Sequence, residues 1–147
     1  MRAVVTRVKS ASVEIDGAIK SSIGKGFLVL LGVHEEDTEA EALKIADKIC
    51  GLRVFEDENG KMNVNPADAG AELLIVSQFT LYADCRKGNR PSFINAGDPV
   101  SANELYEYII SECSKSFHVE KGVFGADMKV ELLNDGPFTV ILDSNEI

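Results

Sequence analysis

The segment Ser77-Gln78-Phe79-Thr80 puts three polar side chains at the end of an apolar run, "AELLIV", that otherwise reads as core. Strand ends at a sheet rim are frequent binding positions, because backbone N–H groups there can point at a ligand oxygen. The plainer alternative is that Ser77 and Thr80 satisfy local backbone groups. A second segment, "NDGPFT" from Asn134 to Thr139, sets a Gly-Pro pair directly before an apolar strand. Proline cannot donate a ladder hydrogen bond and glycine adds nothing to a core. An Asp-Gly turn accounts for that pair; a cis Gly136-Pro137 bond would instead hold a carbonyl in a fixed, unusual direction.

Conventional catalytic sets are not evident. Of the two histidines, His34 precedes an acidic helix start and His118 ends a helical pattern, where a cation suits the helix dipole. Neither sits in a spacing that provides an oriented base. No G-x-S-x-G elbow is present, and "GKG" at Gly24 to Gly26 lacks the P-loop spacing. Cys50, Cys85 and Cys113 are widely spaced, with no CxxC or Cys/His pattern, so zinc is not expected, and nothing else in the sequence calls for a metal or organic cofactor. Cys50 and Cys113 fall in helical patterns and read as small buried hydrophobes.

The elements that must carry these segments can be read in order. "AVVTRV" alternates as a half-buried strand should, and "ASVEIDGAIKSSI" reads as a hairpin around Asp16-Gly17. "FLVLLGV", Phe27 to Val33, is a strand covered on both faces. Thr38 and Glu41 form a capping box that starts a helix running to about Leu52, with Leu43, Ala46, Ile49 and Cys50 as its buried stripe. A short strand pair follows around Asn59-Gly60, then the strand ending in Ser77. Residues 83–99 read as loop, and Ser101 with Glu104 caps a second helix to about Phe117, burying Leu105, Tyr108, Ile109 and Cys113. Two separate strands, Lys129 to Leu133 and Phe138 to Leu142, close the chain. The sum is an α+β domain, mainly antiparallel or mixed β-sheets packed with two main helices, spanning 1–147 as a single domain.

Composition narrows the class without naming a function. The chain has 147 residues, 45% hydrophobic and 27% charged, as for an ordinary globular protein. It lacks the apolar core of a signal peptide, and its longest apolar run is too short to span a bilayer, so a cytoplasmic protein away from membranes is expected. The net charge of −9 argues against nucleic acid taken as a whole. The charge is uneven, however: "CRKGNRPSF" holds three basic residues and no acid, and one local basic patch can still meet a phosphate backbone.

Taken together, the motifs resemble the D-aminoacyl-tRNA deacylases. The resemblance rests on "MRAVVTRVKSASVEIDG", "SQFTLYAD", "KGNRPSF", "GVFGADM" and "NDGPFT", in family order and across essentially the whole chain. Thr6 stands where many members have glutamine. The resemblance implies a homodimer with active sites at the interface, where Ser77, Gln78, Phe79 and Thr80 of one subunit face Gly136 and Pro137 of the other. It implies as substrate the ester that joins a D-amino acid to the terminal adenosine of a tRNA. Arg7 is a candidate brace for the Gly-Pro loop, and Asn134 and Thr139, which flank that loop, are assigned to substrate binding or support. Phe93, Phe124 and Met128 are candidate apolar walls of an adenosine pocket, with plain core as the alternative.

The implied chemistry is physically coherent. Inverting the Cα of an aminoacyl ester exchanges the directions of side chain and hydrogen. Rigid carbonyls of Gly136 and Pro137, placed where an L side chain must enter, would reject every L substrate whatever its side chain. Glycine has no side chain to reject, so glycyl-tRNA should leak through. An activated ester needs orientation, an oxyanion site and a placed water, for which the N–H groups of Phe79 and Thr80 are candidates. The family picture gives proton handling largely to the terminal ribose 2′-hydroxyl. Two other readings stay open: a non-catalytic nucleic-acid-binding dimer using Arg86, Lys87 and Arg90, and a small-ester hydrolase with Thr80 as nucleophile.

Overall fold

The computed structural model describes residues 1–147. Its longest early element is β1 (Arg2–Ile15), which turns through Asp16 and Gly17 into β2 (Ala18–Ile23). Both turn residues have positive φ, 52° and 78°, the backbone a two-residue hairpin of matching twist requires. β3 (Gly26–Gly32) is buried along nearly its whole length. It pairs antiparallel with the first half of β1 and parallel with β6 (Glu72–Ser77), which pairs parallel with β7 (Val119–Lys121). A two-stranded ribbon, β4 (Phe55–Glu56) and β5 (Met62–Val64), stands apart.

β8 (Lys129–Asp143) runs antiparallel along β1 for almost its full length, while β3 and β2 share β1's other edge. The free edge of β2 then approaches β7: the Ser21 hydroxyl donates to the Lys121 carbonyl at 2.9 Å. The sheet is thus curled nearly into a barrel. A small cluster that includes Val8, Val13, Leu28 and Leu74 fills one side of it. The main core lies on the other side, between the sheet and α1 (Glu39–Gly51) and α2 (Pro99–Ser114). No helix is long and apolar enough to cross a membrane.

Several sequence expectations need correction. α1 has the Thr38/Glu41 capping box, but its buried stripe is Ala42, Ile45, Ala46 and Ile49; Leu43 is exposed. The small alanines let the helix lie close against its neighbours, a preference that a hydrophobicity ranking passes over. α2 begins one turn earlier than Ser101/Glu104 suggests. Asp98 caps it, accepting from the N–H of Val100 at 3.0 Å and of Ser101 at 3.3 Å, and Pro99 takes the first helical position. Its buried tyrosine is Tyr106, whose hydroxyl donates to the Ile75 carbonyl at 2.8 Å; Tyr108 is only half-buried. β7 was not foreseen. The two closing strands are one 15-residue strand, with Gly136-Pro137 inside it where its register against β1 shifts between Thr6 and Val8.

Candidate active site

β6 ends at Ser77, and the chain turns at once into a 3-10 helix, Phe79–Tyr82. The Gln78 N–H donates to the Leu31 carbonyl at 2.7 Å, so the turn is pinned to the end of β3. Gly32 permits this contact: a Cβ there would lie 3.1 Å from the Gln78 carbonyl oxygen and 3.0 Å from the Leu81 Cβ. The N–H groups of Phe79 and Thr80, at the start of the short helix, have no partner within it and are free to meet a ligand oxygen.

Ser77, Gln78 and Phe79 line an open cleft of about 710 Å³ together with Phe93, Phe124 and Met128. Phe79 and Phe93 meet edge to face, with ring centroids 4.9 Å apart. All three of Phe93, Phe124 and Met128 are half-buried; they line the cleft, while Phe124 and Met128 also pack against the core. The cleft is lined in the main by apolar residues, as small-molecule sites are. Thr80 lies beside this rim and is exposed. Its hydroxyl accepts a hydrogen bond from the Gln78 side-chain amide, which is a donor and no base.

Neither histidine enters the cleft. His34 packs on Tyr82 with centroids 5.1 Å apart and accepts from the Glu36 N–H, and His118 lies 3.0 Å from Glu120 on the surface. No group of three or more His, Cys, Asp or Glu residues comes together.

The cleft has further lining that the sequence reading did not single out. The N-terminal end of α2, with Asp98, Pro99 and Ala102, forms one wall, and Asp127 stands at another. Hydrogen bonding from Ser101, side chain first and N–H second, holds the Asp98 carboxyl below its ordinary range. Asp127 is paired with Lys129 at 2.9 Å. The Asp-Pro pair at 98–99 is a helix-start signal; given its weight, it would have brought α2 to the cleft. On the nearby basic loop, Arg86 holds Asp84 at 2.7 Å and lowers its carboxyl to about 2, while Lys87 and Arg90 project into solvent.

The remaining predicted residues gather elsewhere. The Gly136-Pro137 bond is cis, and Gly136 sits at φ 146°. A Cβ at Gly136 would fall 2.8 Å from the Phe138 nitrogen, so no other residue fits this bend without a shift. Arg7 underlies the loop: its Nε donates to the Asp135 carbonyl at 3.0 Å, its guanidinium also donates to the Val54 carbonyl, and it lies over the Phe138 ring. The Asn134 side chain spans the bend, accepting from the Phe138 N–H at 2.9 Å, with its amide 3.4 Å from the Thr139 hydroxyl. Thr6 is buried and its hydroxyl lies 3.3 Å from that of Thr139. This second cluster is on β8, three strands across from β6 and several residues along, on the order of 20 Å from Ser77. One chain therefore holds both groups but does not bring them together.

Residues 4–143 match the family model described as D-Tyr-tRNA(Tyr) deacylase. A D-aminoacyl-tRNA deacylase of Koribacter versatilis is 55% identical over 99% of both chains, and one of Anaeromyxobacter dehalogenans is 53% identical over 100% of this chain and 99% of its own. Among solved structures, the c-Myc DNA Unwinding Element Binding Protein superposes with a TM-score of 0.92 at 43% identity, over 97% of this chain and 98% of that one. A probable eukaryotic D-amino acid tRNA deacylase shares the fold at 14% identity, with a TM-score of 0.83 over 96% of this chain and 97% of that one.

Proposed function

The chain belongs to the D-Tyr-tRNA(Tyr) deacylase family, and on that premise we propose that it hydrolyses the ester bond of D-aminoacyl-tRNA as a homodimer, sparing L-aminoacyl-tRNA. The observation that carries this reading is the cleft, where Ser77 to Phe79 meet Phe93, Phe124 and Met128 at a rim without a nucleophile–base pair. Such a site suits an ester already activated by its leaving group. The apolar walls take the terminal adenine; the N–H groups of Phe79 and Thr80 receive the ester carbonyl oxygen as charge develops on it. Ser77, Gln78 and Thr80 orient the substrate, and the neighbouring 2′-hydroxyl handles the proton of the attacking water.

Chiral selection falls to Gly136 and Pro137 of the partner subunit, held by Arg7, Asn134 and Thr139. Main-chain carbonyls facing the ester Cα exclude an L side chain by volume alone, and glycyl-tRNA passes. Two features support the dimer. The Gly-Pro loop and the cleft are far apart within one chain. β8 is also a sheet edge paired only with β1, and it exposes Leu133 (57%) and Ile141 (72%). A long apolar edge of this kind is a template for pairing with another chain.

A matched pair of D- and L-tyrosyl-tRNA tests the reading: the D ester should be cleaved and the L ester left intact. Equal cleavage of the two would remove the chiral gate, and cleavage of neither would remove the activity. The latter result would favour a second reading, a nucleic-acid-binding dimer of the same fold. The name of the 43% identical DNA-element-binding protein and the free cations Lys87 and Arg90 speak for it.

A further inference from the structure

Cys50 and Cys113 lie in the last turns of α1 and α2, and their Sγ atoms are 3.8 Å apart. Both are free thiols, as is Cys85, which is exposed on the basic loop. Cys113 is fully buried, whereas Cys50 is half-buried and reachable from solvent. Packing explains a buried Cys113, but the half-buried residue whose sulfur meets it at the helix margin is a second thiol. A disulfide needs an S–S distance of about 2.05 Å, so the two sulfurs must close by about 1.8 Å.

We infer that Cys50 and Cys113 form a reversible disulfide that ties the C-terminal end of α1 to that of α2, with a peroxide as oxidant. The Cys50 thiolate attacks one peroxide oxygen; the O–O bond breaks, a Cys50 sulfenic acid forms, and the other oxygen leaves as water after taking a proton. The Cys113 sulfur then attacks the Cys50 sulfur. The S–O bond breaks, the S–S bond forms, and the hydroxyl leaves as water with the proton of Cys113. Two thiols are oxidised and one peroxide is reduced to two waters. The division of labour follows from position: the reachable thiol meets the oxidant, and the buried one resolves the sulfenic acid before a second peroxide arrives. The hydrogen bond between the two lowers the Cys50 thiol from its ordinary value, against burial and Asp47; the same contact first and burial second raise Cys113.

The cysteines are 63 residues apart, so the cross-link closes a long loop and restricts the unfolded chain. The cleft lies at the opposite end of α2, about 22 Å from Cys113 by helical rise. The inference therefore stands apart from the deacylase reading and fails or holds by its own measurement. The full chain is treated with hydrogen peroxide, denatured, labelled with iodoacetamide and weighed. Labels should fall from three to one, with the cross-link mapping to Cys50 and Cys113, and dithiothreitol should restore all three. The oxidised form should melt at least about 5 °C higher than the reduced form. Cys85→Ser should keep the cross-link. Cys50→Ser should abolish it, and Cys113→Ala should leave Cys50 as a sulfenic acid that dimedone traps. If Cys113→Ala does not fold, Cys50→Ser at the helix margin supplies the control. Full labelling of both Cys50 and Cys113 after peroxide, over-oxidation of Cys50 with Cys113 still labelled, a cross-link through Cys85, or a lower melting temperature would each overturn the inference.

Discussion

Thr80 is the residue on which the chemistry divides. Its hydroxyl is exposed at the cleft rim, and its recorded partner is the Gln78 amide, which donates to it. An oxygen held as an acceptor by an amide has lost a lone pair and gained no base, so it is a poor attacking group. Thr80→Ala should therefore keep deacylase activity on D-tyrosyl-tRNA, lowered by about tenfold or less through looser substrate placement, in single-turnover assays. Complete loss, with folding and tRNA binding intact, would make it the nucleophile. At this scale the sequence was informative wherever identity alone decides. The Gly-Pro pair and the SQFT run stand out by being out of place among apolar residues. Asp98 and Asp127 did not stand out, because an acid before a helix or beside a lysine is ordinary until the fold turns it toward a cleft.

The elements explain why the rim keeps its shape. The turn after β6 rests on Gly32 at the end of β3, where a methyl group would press on the Gln78 carbonyl and the Leu81 side chain. Gly32→Ala should cost about 1–3 kcal/mol in stability, and should lower kcat/KM by more than that loss implies, because the N–H groups of Phe79 and Thr80 move with the turn. Chemical denaturation beside single-turnover kinetics separates the two effects; a variant as active as its parent would unlink Gly32 from the site. Element types were largely legible, since the Asp16-Gly17 hairpin and the Thr38/Glu41 box are local signals read within a few residues. The misreadings were tertiary. Ala42 outranks Leu43 in burial only because of what α1 packs against, and β7 is three residues long, defined by its pairing with β6.

Across the whole molecule, the proposed shared site requires the Gly-Pro loop of one copy to enter the cleft of another, because its own cleft lies on the order of 20 Å away. The proposed second copy, pairing through the exposed edge of β8, would bring the two together. Leu133→Glu with Ile141→Lys should then convert the dimer to a folded monomer in sedimentation velocity and lower deacylation at least about a hundredfold. A monomer that keeps full activity would refute the shared site. The family resemblance implies this arrangement, but residue spacing alone does not deliver it: Arg7 reaches Asp135 within one chain, whereas Gly136 and Gln78 stay apart. The separation of the two clusters has a genetic counterpart. If the bend seats the ester Cα as well as screening its side chain, a protomer crippled at the bend, Gly136→Ala, and one crippled at the rim, Gln78→Ala, should each be inactive as homodimers. Unfolded together and refolded, half of the resulting pairs are mixed, and each mixed pair holds one site with both halves sound. Two dead proteins would thus complement each other to about a quarter of the wild-type rate, a recovery open only to an enzyme whose sites are divided between its subunits.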